Sequence, residues 1–216
     1  TQLADTINAL QDSSIRPMEI LICIPNSSEL LADIDLTDNI KIIRTKKKGQ
    51  VYQRLIGFNS AKGDYVLQLD DDFFLKNDAI EKLIRCLNSS DKKTAVAPSI
   101  FWKNTNISVF KRGRITIAEN FSYWVMNGKF GYQPGIISLS GVGFGFCFNR
   151  NLQNKMQLEW LPGGCILHRT ENLITENYFP FTGKAYSEDL IHSLLLKKNE
   201  VKLYICNNAI GFIEPI

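Results

Sequence analysis

The chain has 216 residues, 44% of them hydrophobic, enough for one well-filled core or one domain with a small appendage. With 25 basic and 22 acidic residues its net charge is +3, a balance that gives no electrostatic case for nucleic acid as a partner. No apolar run reaches the ~20 residues of a bilayer-crossing helix, and the five scattered cysteines form no CxxC pair, which argues against zinc and for a reducing compartment.

In chain order, Leu3, Ile7 and Leu10 recur at helical spacing. Residues 19–24 and 40–44 read as short buried strands, the first closed by Pro25-Asn26-Ser27-Ser28. The loop after the second carries Lys46-Lys47-Lys48, a solvated charge run or a contact for anionic headgroups or a diphosphate. Val51, Leu55 and Phe58 predict a helix stopped by Gly63, and Tyr65-Val66-Leu67-Gln68-Leu69 predicts a buried strand. Asp78 and Glu81 have capping-box spacing before a helix with Ile80, Leu83, Ile84 and Leu87 inward, and Thr94-Ala95-Val96-Ala97 reads as a strand closed by Pro98. Helix–strand alternation with short loops predicts a parallel sheet covered by helices.

After Pro98 the rhythm changes. Residues 99–150 are rich in aromatics and glycine, and they predict irregular strands with a mobile loop, a lid, at about residues 103–133. Trp102, Trp124 and Trp160 read as core, with a second reading for Trp160 as a sugar-stacking ring. Cys23, Cys147 and Cys206 sit in apolar runs and read as small core residues. A helix is expected over Glu188–Lys198 with Leu190, Ile191, Leu194 and Leu195 on its buried face, then an edge-like strand over 201–206.

Three features carry chemistry. Asp70-Asp71-Asp72 follow the strand at 65–69, at the end of the sheet where open α/β folds bind ligands. Three adjacent carboxylates repel one another unless a cation, held also by substrate phosphates, sits among them. Trp160-Leu161-Pro162-Gly163-Gly164 lets the backbone approach a ligand closely. Tyr186-Ser187-Glu188-Asp189 opens a helix, where capping and the macrodipole explain the acids equally well.

The order and spacing of these features resembles the family 2 glycosyltransferases of the GT-A fold, of bacterial polysaccharide type, over nearly the whole chain. The resemblance includes Ala61-Lys62-Gly63-Asp64-Tyr65-Val66-Leu67-Gln68-Leu69-Asp70-Asp71-Asp72 and the helix segment Gln53-Arg54-Leu55-Ile56-Gly57-Phe58. It implies an α/β, Rossmann-like three-layer sandwich with a mostly parallel central sheet. Residues 1–216 would form one domain, 1–98 binding the nucleotide sugar and 99–216 the acceptor, without the opening strand of the family. The activity implied is transfer of a sugar from a nucleoside-diphosphate donor, UDP favoured, to a hydroxyl of a glycan or lipid-linked acceptor, with inversion. Asp72 and Asp70 would hold Mn²⁺ or Mg²⁺. Asp70, Asp71, Arg54 and Gln50 would bind the donor, and Asp189 would be the base. Glu188, Trp160, Gly163 and Gly164 would face the acceptor. The expected setting is cytoplasmic, with peripheral contact at the inner face of the membrane.

The chain departs from the family in three places. Ile24-Pro25-Asn26-Ser27 lacks the carboxylate that contacts the base, and Asn208-Ala209-Ile210-Gly211 lacks a metal-binding histidine. No Gln-x-x-Arg-Trp motif follows, which favours single addition over processive synthesis. Two competing readings are a D-x-D phosphatase and a non-catalytic sugar or nucleotide binder. Phe74 and the lack of a later Asp-Asp pair argue against the phosphatase.

Overall fold

A computed structural model describes residues 2–28, 37–146, 154–180 and 185–215. Cys147 lies outside the described residues. The first half runs α1 (Gln2–Gln11), β1 (Ile20–Pro25), β2 (Ile40–Thr45), α2 (Gln50–Ser60), β3 (Tyr65–Leu69), β4 (Phe73–Leu75), α3 (Ala79–Asn88) and β5 (Thr94–Trp102). The second half adds α4 (Ile117–Asn127), β6 (Lys155–Leu158), β7 (Cys165–Arg169), a 3₁₀ turn, α5 (Glu188–Lys198) and β8 (Lys202–Ile213).

The fold is mixed α/β, as the alternation predicts. β1 and β2 pair in parallel, and a six-stranded sheet has the order β3-β7-β5-β8-β4, with β6 also on β8. β5 and β8 are parallel. β7 lies antiparallel between β3 and β5, so β3, β5 and β8 share one direction. β4 and β6 run antiparallel to β8. The strands that share a direction each follow a helix; the antiparallel ones are inserted between or beside them.

Side-chain alternation divides the sheet into two apolar faces. Val96 and Leu167 pack under Leu83 and Leu87 of α3. Ala95, Ala97, Ile166, Leu203 and Ile205 pack on the other side with Leu196 of α5. The six-stranded sheet therefore lies between helices, the three-layer arrangement.

Several local expectations change. β5 runs through Pro98 to Trp102, because the pairing shifts register there: Pro98 faces Cys206 and Ser99 faces Ile210, so the β8 segment between is left out of the ladder. Such a bulge tolerates a residue without an N–H. The strand expected at an edge is interior, since β8 pairs with β5 on one side and with β6 and β4 on the other. α5 buries Glu188, His192, Ser193 and Leu196, Leu195 packs partly buried against the same core, and Leu194 is exposed, so its inward face takes in only part of the expected leucine stripe. Asp78 precedes α3 without a side-chain capping bond and pairs instead with Lys82 at 2.7 Å. A capping box does occur at Thr116 and Glu119, opening α4 inside the segment expected to be irregular, and Gly128 ends that helix at φ 69°.

Candidate active site

The six-stranded sheet brings distant motifs together through one pairing. β7 lies antiparallel on β3 with Cys165 opposite Leu69, which sets Gly163-Gly164, just before β7, beside Asp70, just after β3. The Asp70 amide donates to the Gly164 carbonyl at 2.9 Å, and the buried Gln68 side chain donates to the Gly163 carbonyl. Gly163 has no space for a side chain, and Gly164 is closely packed. A Cβ on Gly163 would lie 2.8 Å from Glu188 Oε1 and 3.3 Å from Asp189 Cβ. One on Gly164 would lie 3.5 Å from Asp70 Oδ2 and 3.3 Å from the Phe73 ring. The glycine turn is thus the floor between the aspartate triplet and the start of α5.

Arg54 of α2 ties the two acidic groups. Its Nη1 donates to both oxygens of Glu188 at 2.8 Å, and its Nη2 reaches Asp70 Oδ1 at 3.5 Å. The Tyr178 hydroxyl donates to Glu188 Oε2 at 3.0 Å. Arg54 and Glu188 are both buried, with side-chain exposures of 9% and 5%. Arg54, expected at the donor, and Glu188, expected at the acceptor, are engaged with each other inside the protein, because a buried charge needs a partner.

Trp160 takes the core position that was one of its two readings. Its ring is buried edge-on to Phe110, and its indole N–H donates to the Phe144 carbonyl at 3.1 Å. Gln50 Oε1 accepts from the Ala185 amide at 3.5 Å, which links the start of α2 to the approach to α5. Asp71 and Asp72 are exposed at the mouth, and the Asp71 carbonyl accepts from Thr6 Oγ1 at 3.0 Å. The Lys46-Lys47-Lys48 run is exposed, and Trp124 is exposed where core was expected.

The electrostatics separate the carboxyls. Burial pushes the Asp70 carboxyl up to about 6, Arg54 pulling against it and Asp72, Glu188 and Asp71 adding to it. Burial also raises Asp189, opposed by the Leu190 amide, which donates to its Oδ1 at 2.9 Å. Asp189 is half-buried, so part of it remains exposed.

Behind the site a stack of rings fills the space between α2, β7 and α5. Tyr178 lies flat on His192 with centroids 5.9 Å apart, His192 is 5.5 Å from His168, and His168 is 6.0 Å from Phe58. Neither imidazole has a hydrogen-bond partner among the described residues. Burial holds His168 well below the ordinary range and His192 down to about 3, so both are neutral packing groups.

A divalent cation fits the residues present, as a site completed by substrate. Among the described residues, no three His, Cys, Asp or Glu side chains converge to hold an ion. Asp72 is exposed beside Asp70, and Arg54 engages only Oδ1 of Asp70, leaving Oδ2 toward Gly164. Magnesium-like sites are commonly built from one or two carboxylates plus substrate phosphates.

The triplet, the glycine turn and the acidic helix start, singled out in the sequence, lie together in the structure. The Arg54 link and the histidine stack had no local signal, since each joins residues far apart in the chain, and the Tyr178 link crosses ten residues without a motif to mark it.

The model of the family described as glycosyl transferase family 2 matches residues 1–152. Among solved structures, the chain is similar to GalNAc-T7, crystallised with UDP, GalNAc and Mn²⁺, with a TM-score of 0.53 at 16% identity. That similarity covers 82% of this chain and 32% of the other, so this chain spans about a third of that protein's length. No curated protein sequence matches.

Proposed function

The chain belongs to the family 2 glycosyltransferases, and from that premise we propose that it transfers a sugar from a nucleoside diphosphate, UDP by preference, to a hydroxyl, with inversion and one sugar at a time. The observation that supports this most is the junction at Gly163-Gly164. It sets a raised carboxyl at the start of α5 against the aspartates that follow β3.

Asp72 and Asp70 would hold Mn²⁺ or Mg²⁺ together with the donor's phosphates. A cation held there would neutralise charge on the departing diphosphate. Asp189 takes the proton from the acceptor hydroxyl. The acceptor oxygen bonds to the anomeric carbon from the face opposite the diphosphate, and the carbon–oxygen bond to the diphosphate breaks. A carboxyl raised by burial is a better base than one in water, provided it stays ionised at working pH. Glu188 carries no proton in this scheme. With Arg54 and Tyr178 it fixes the start of α5, and so the position of Asp189. Gly163 and Gly164 leave the backbone close to the acceptor. The acceptor is a glycan or a lipid-linked sugar, met in the cytoplasm at the inner face of the membrane.

The test is Asp189→Asn. Size and most hydrogen bonding are kept while basicity is lost. Turnover should fall by ~10²-fold or more, with UDP affinity in Mn²⁺ nearly unchanged. Transfer at the unaltered rate would overturn the assignment.

A further inference from the structure

The most unusual surface of the molecule is the outer face of α4. Ile117, Phe121, Trp124 and Val125 recur at i, i+4, i+7 and i+8, a spacing that ordinarily faces a core. Here they face outward, with exposures of 90%, 57%, 44% and 65%, and Phe130 beyond the helix is 68% exposed. Trp124 contacts Phe121 and stacks on Phe130, at centroid distances of 5.7 and 5.9 Å, so the aromatics form one patch. The inner face is anchored separately. Tyr123 is buried against Tyr132 and Phe144, and Arg112 lies over the Tyr132 ring at 4.2 Å.

The charge around this patch is one-sided. Residues 111–146 carry four basic groups, Lys111, Arg112, Arg114 and Lys129, and one acid, Glu119, a net +3 that equals the net charge of the whole chain; Lys103, just before them, is paired with Glu214 at 2.7 Å. Glu119 is held in the capping box with Thr116. Lys111, Arg114 and Lys129 are exposed and have no ion pair among the described residues.

We propose that α4 and its flanking basic residues dock on an anionic lipid surface, the apolar stripe entering the headgroup boundary while Lys111, Arg114 and Lys129 meet lipid phosphates. An amphipathic helix with aromatics on one side and basic residues beside it is the chemistry that binds such an interface. The concentration of the positive charge at the apolar patch is what favours lipid over a protein partner or a second copy of the chain. This docking rests on the α4 surface alone and stands whether or not the chain transfers sugar. It also bears on the cleft. Gly143 of the same segment packs on Trp160 and on Leu190, the residue after Asp189, so a docked α4 holds the acceptor side near the lipid surface.

The test is co-sedimentation of the full chain with vesicles of phosphatidylcholine plus phosphatidylglycerol, and with phosphatidylcholine alone. Binding should need the anionic lipid, weaken with salt, and shift Trp124 emission to the blue. Lys111→Ala/Arg114→Ala/Lys129→Ala should weaken it about a hundredfold, at about fivefold per basic residue. Phe121→Ser/Val125→Ser should weaken it by about tenfold or more. All five positions are exposed, and UDP-induced thermal stabilisation should be unchanged in both variants, which separates this docking from the donor site. No binding to the anionic vesicles, or binding that both variants retain, would overturn the proposal. So would a dimer, seen by sedimentation velocity without lipid, that Phe121→Ser abolishes, since the stripe would then be a contact between copies.

Discussion

Replacing Arg54 by Met removes the cation paired with the buried Glu188. Glu188 is 4% exposed, and of its partners among the described residues the Tyr178 hydroxyl would remain. Breaking a buried ion pair by removing one member costs about 3–5 kcal/mol, because the other charge is stranded. The half-buried Asp70 would lose its contact with Arg54 too, a smaller effect at 3.5 Å. At about 2–4 °C per kcal/mol for a chain of this size, a loss of about 3 kcal/mol lowers Tm by roughly 6–12 °C. Adding Glu188→Met to Arg54→Met should restore much of that, since both charges are then gone and the methionines fill similar volume. A double-mutant cycle by urea denaturation should give a coupling of at least about 2 kcal/mol. The competing idea, that Arg54 binds donor phosphate, predicts the reverse: an unchanged Tm with weakened UDP affinity. A loss under about 1 kcal/mol, or strictly additive single changes, would refute the account of Arg54 as an internal strut.

Three further outcomes are expected. Asp72→Ala should fold normally, because the side chain is exposed, yet lose the Mn²⁺-dependent thermal stabilisation by UDP; stabilisation equal to that of the unaltered chain would remove Asp72 from the cation site. Gly163→Ala puts a methyl 2.8 Å from Glu188 Oε1 and should cost about 1–3 kcal/mol along with activity. Gly113→Ala, with nothing within 4 Å, is the control, and equal behaviour of the two would contradict the packing described. His192, held down to about 3, binds its proton in the unfolded chain first as pH falls. Its contribution is therefore present at neutral pH and is lost from about pH 6.5 downward, by about 2 kcal/mol at pH 5. His168 acts in the same direction. Denaturant midpoints at pH 7 and 5 should converge in His192→Phe relative to the unaltered chain, and an identical acid loss in both would count against it.

What the sequence determined by itself is the local part of the molecule. The spacing of Ile80, Leu83 and Leu87 makes α3 a helix with one buried side, and the apolar run before Asp70 makes β3 a strand. Those periods are properties of neighbouring residues, so they are legible without the fold, and so is the order of the acidic and glycine motifs. Tertiary structure decided which side of each element is inside. The leucines of α5 looked inward by pattern, yet His192 and Ser193 are buried and Leu194 is not. The stripe of α4 has the spacing of a buried face and is turned outward, while Tyr123 on the opposite side holds the helix to the body. Helical periodicity marks a stripe, but only the remaining surfaces of the molecule determine whether it is covered. The same holds for the site. Arg54 meets Glu188 across 134 positions of sequence, and Gln68 meets Gly163 across 95. The second contact exists because β7 inserts between β3 and β5, and the first because α2 and the start of α5 meet; neither pairing is written in a single segment of the chain.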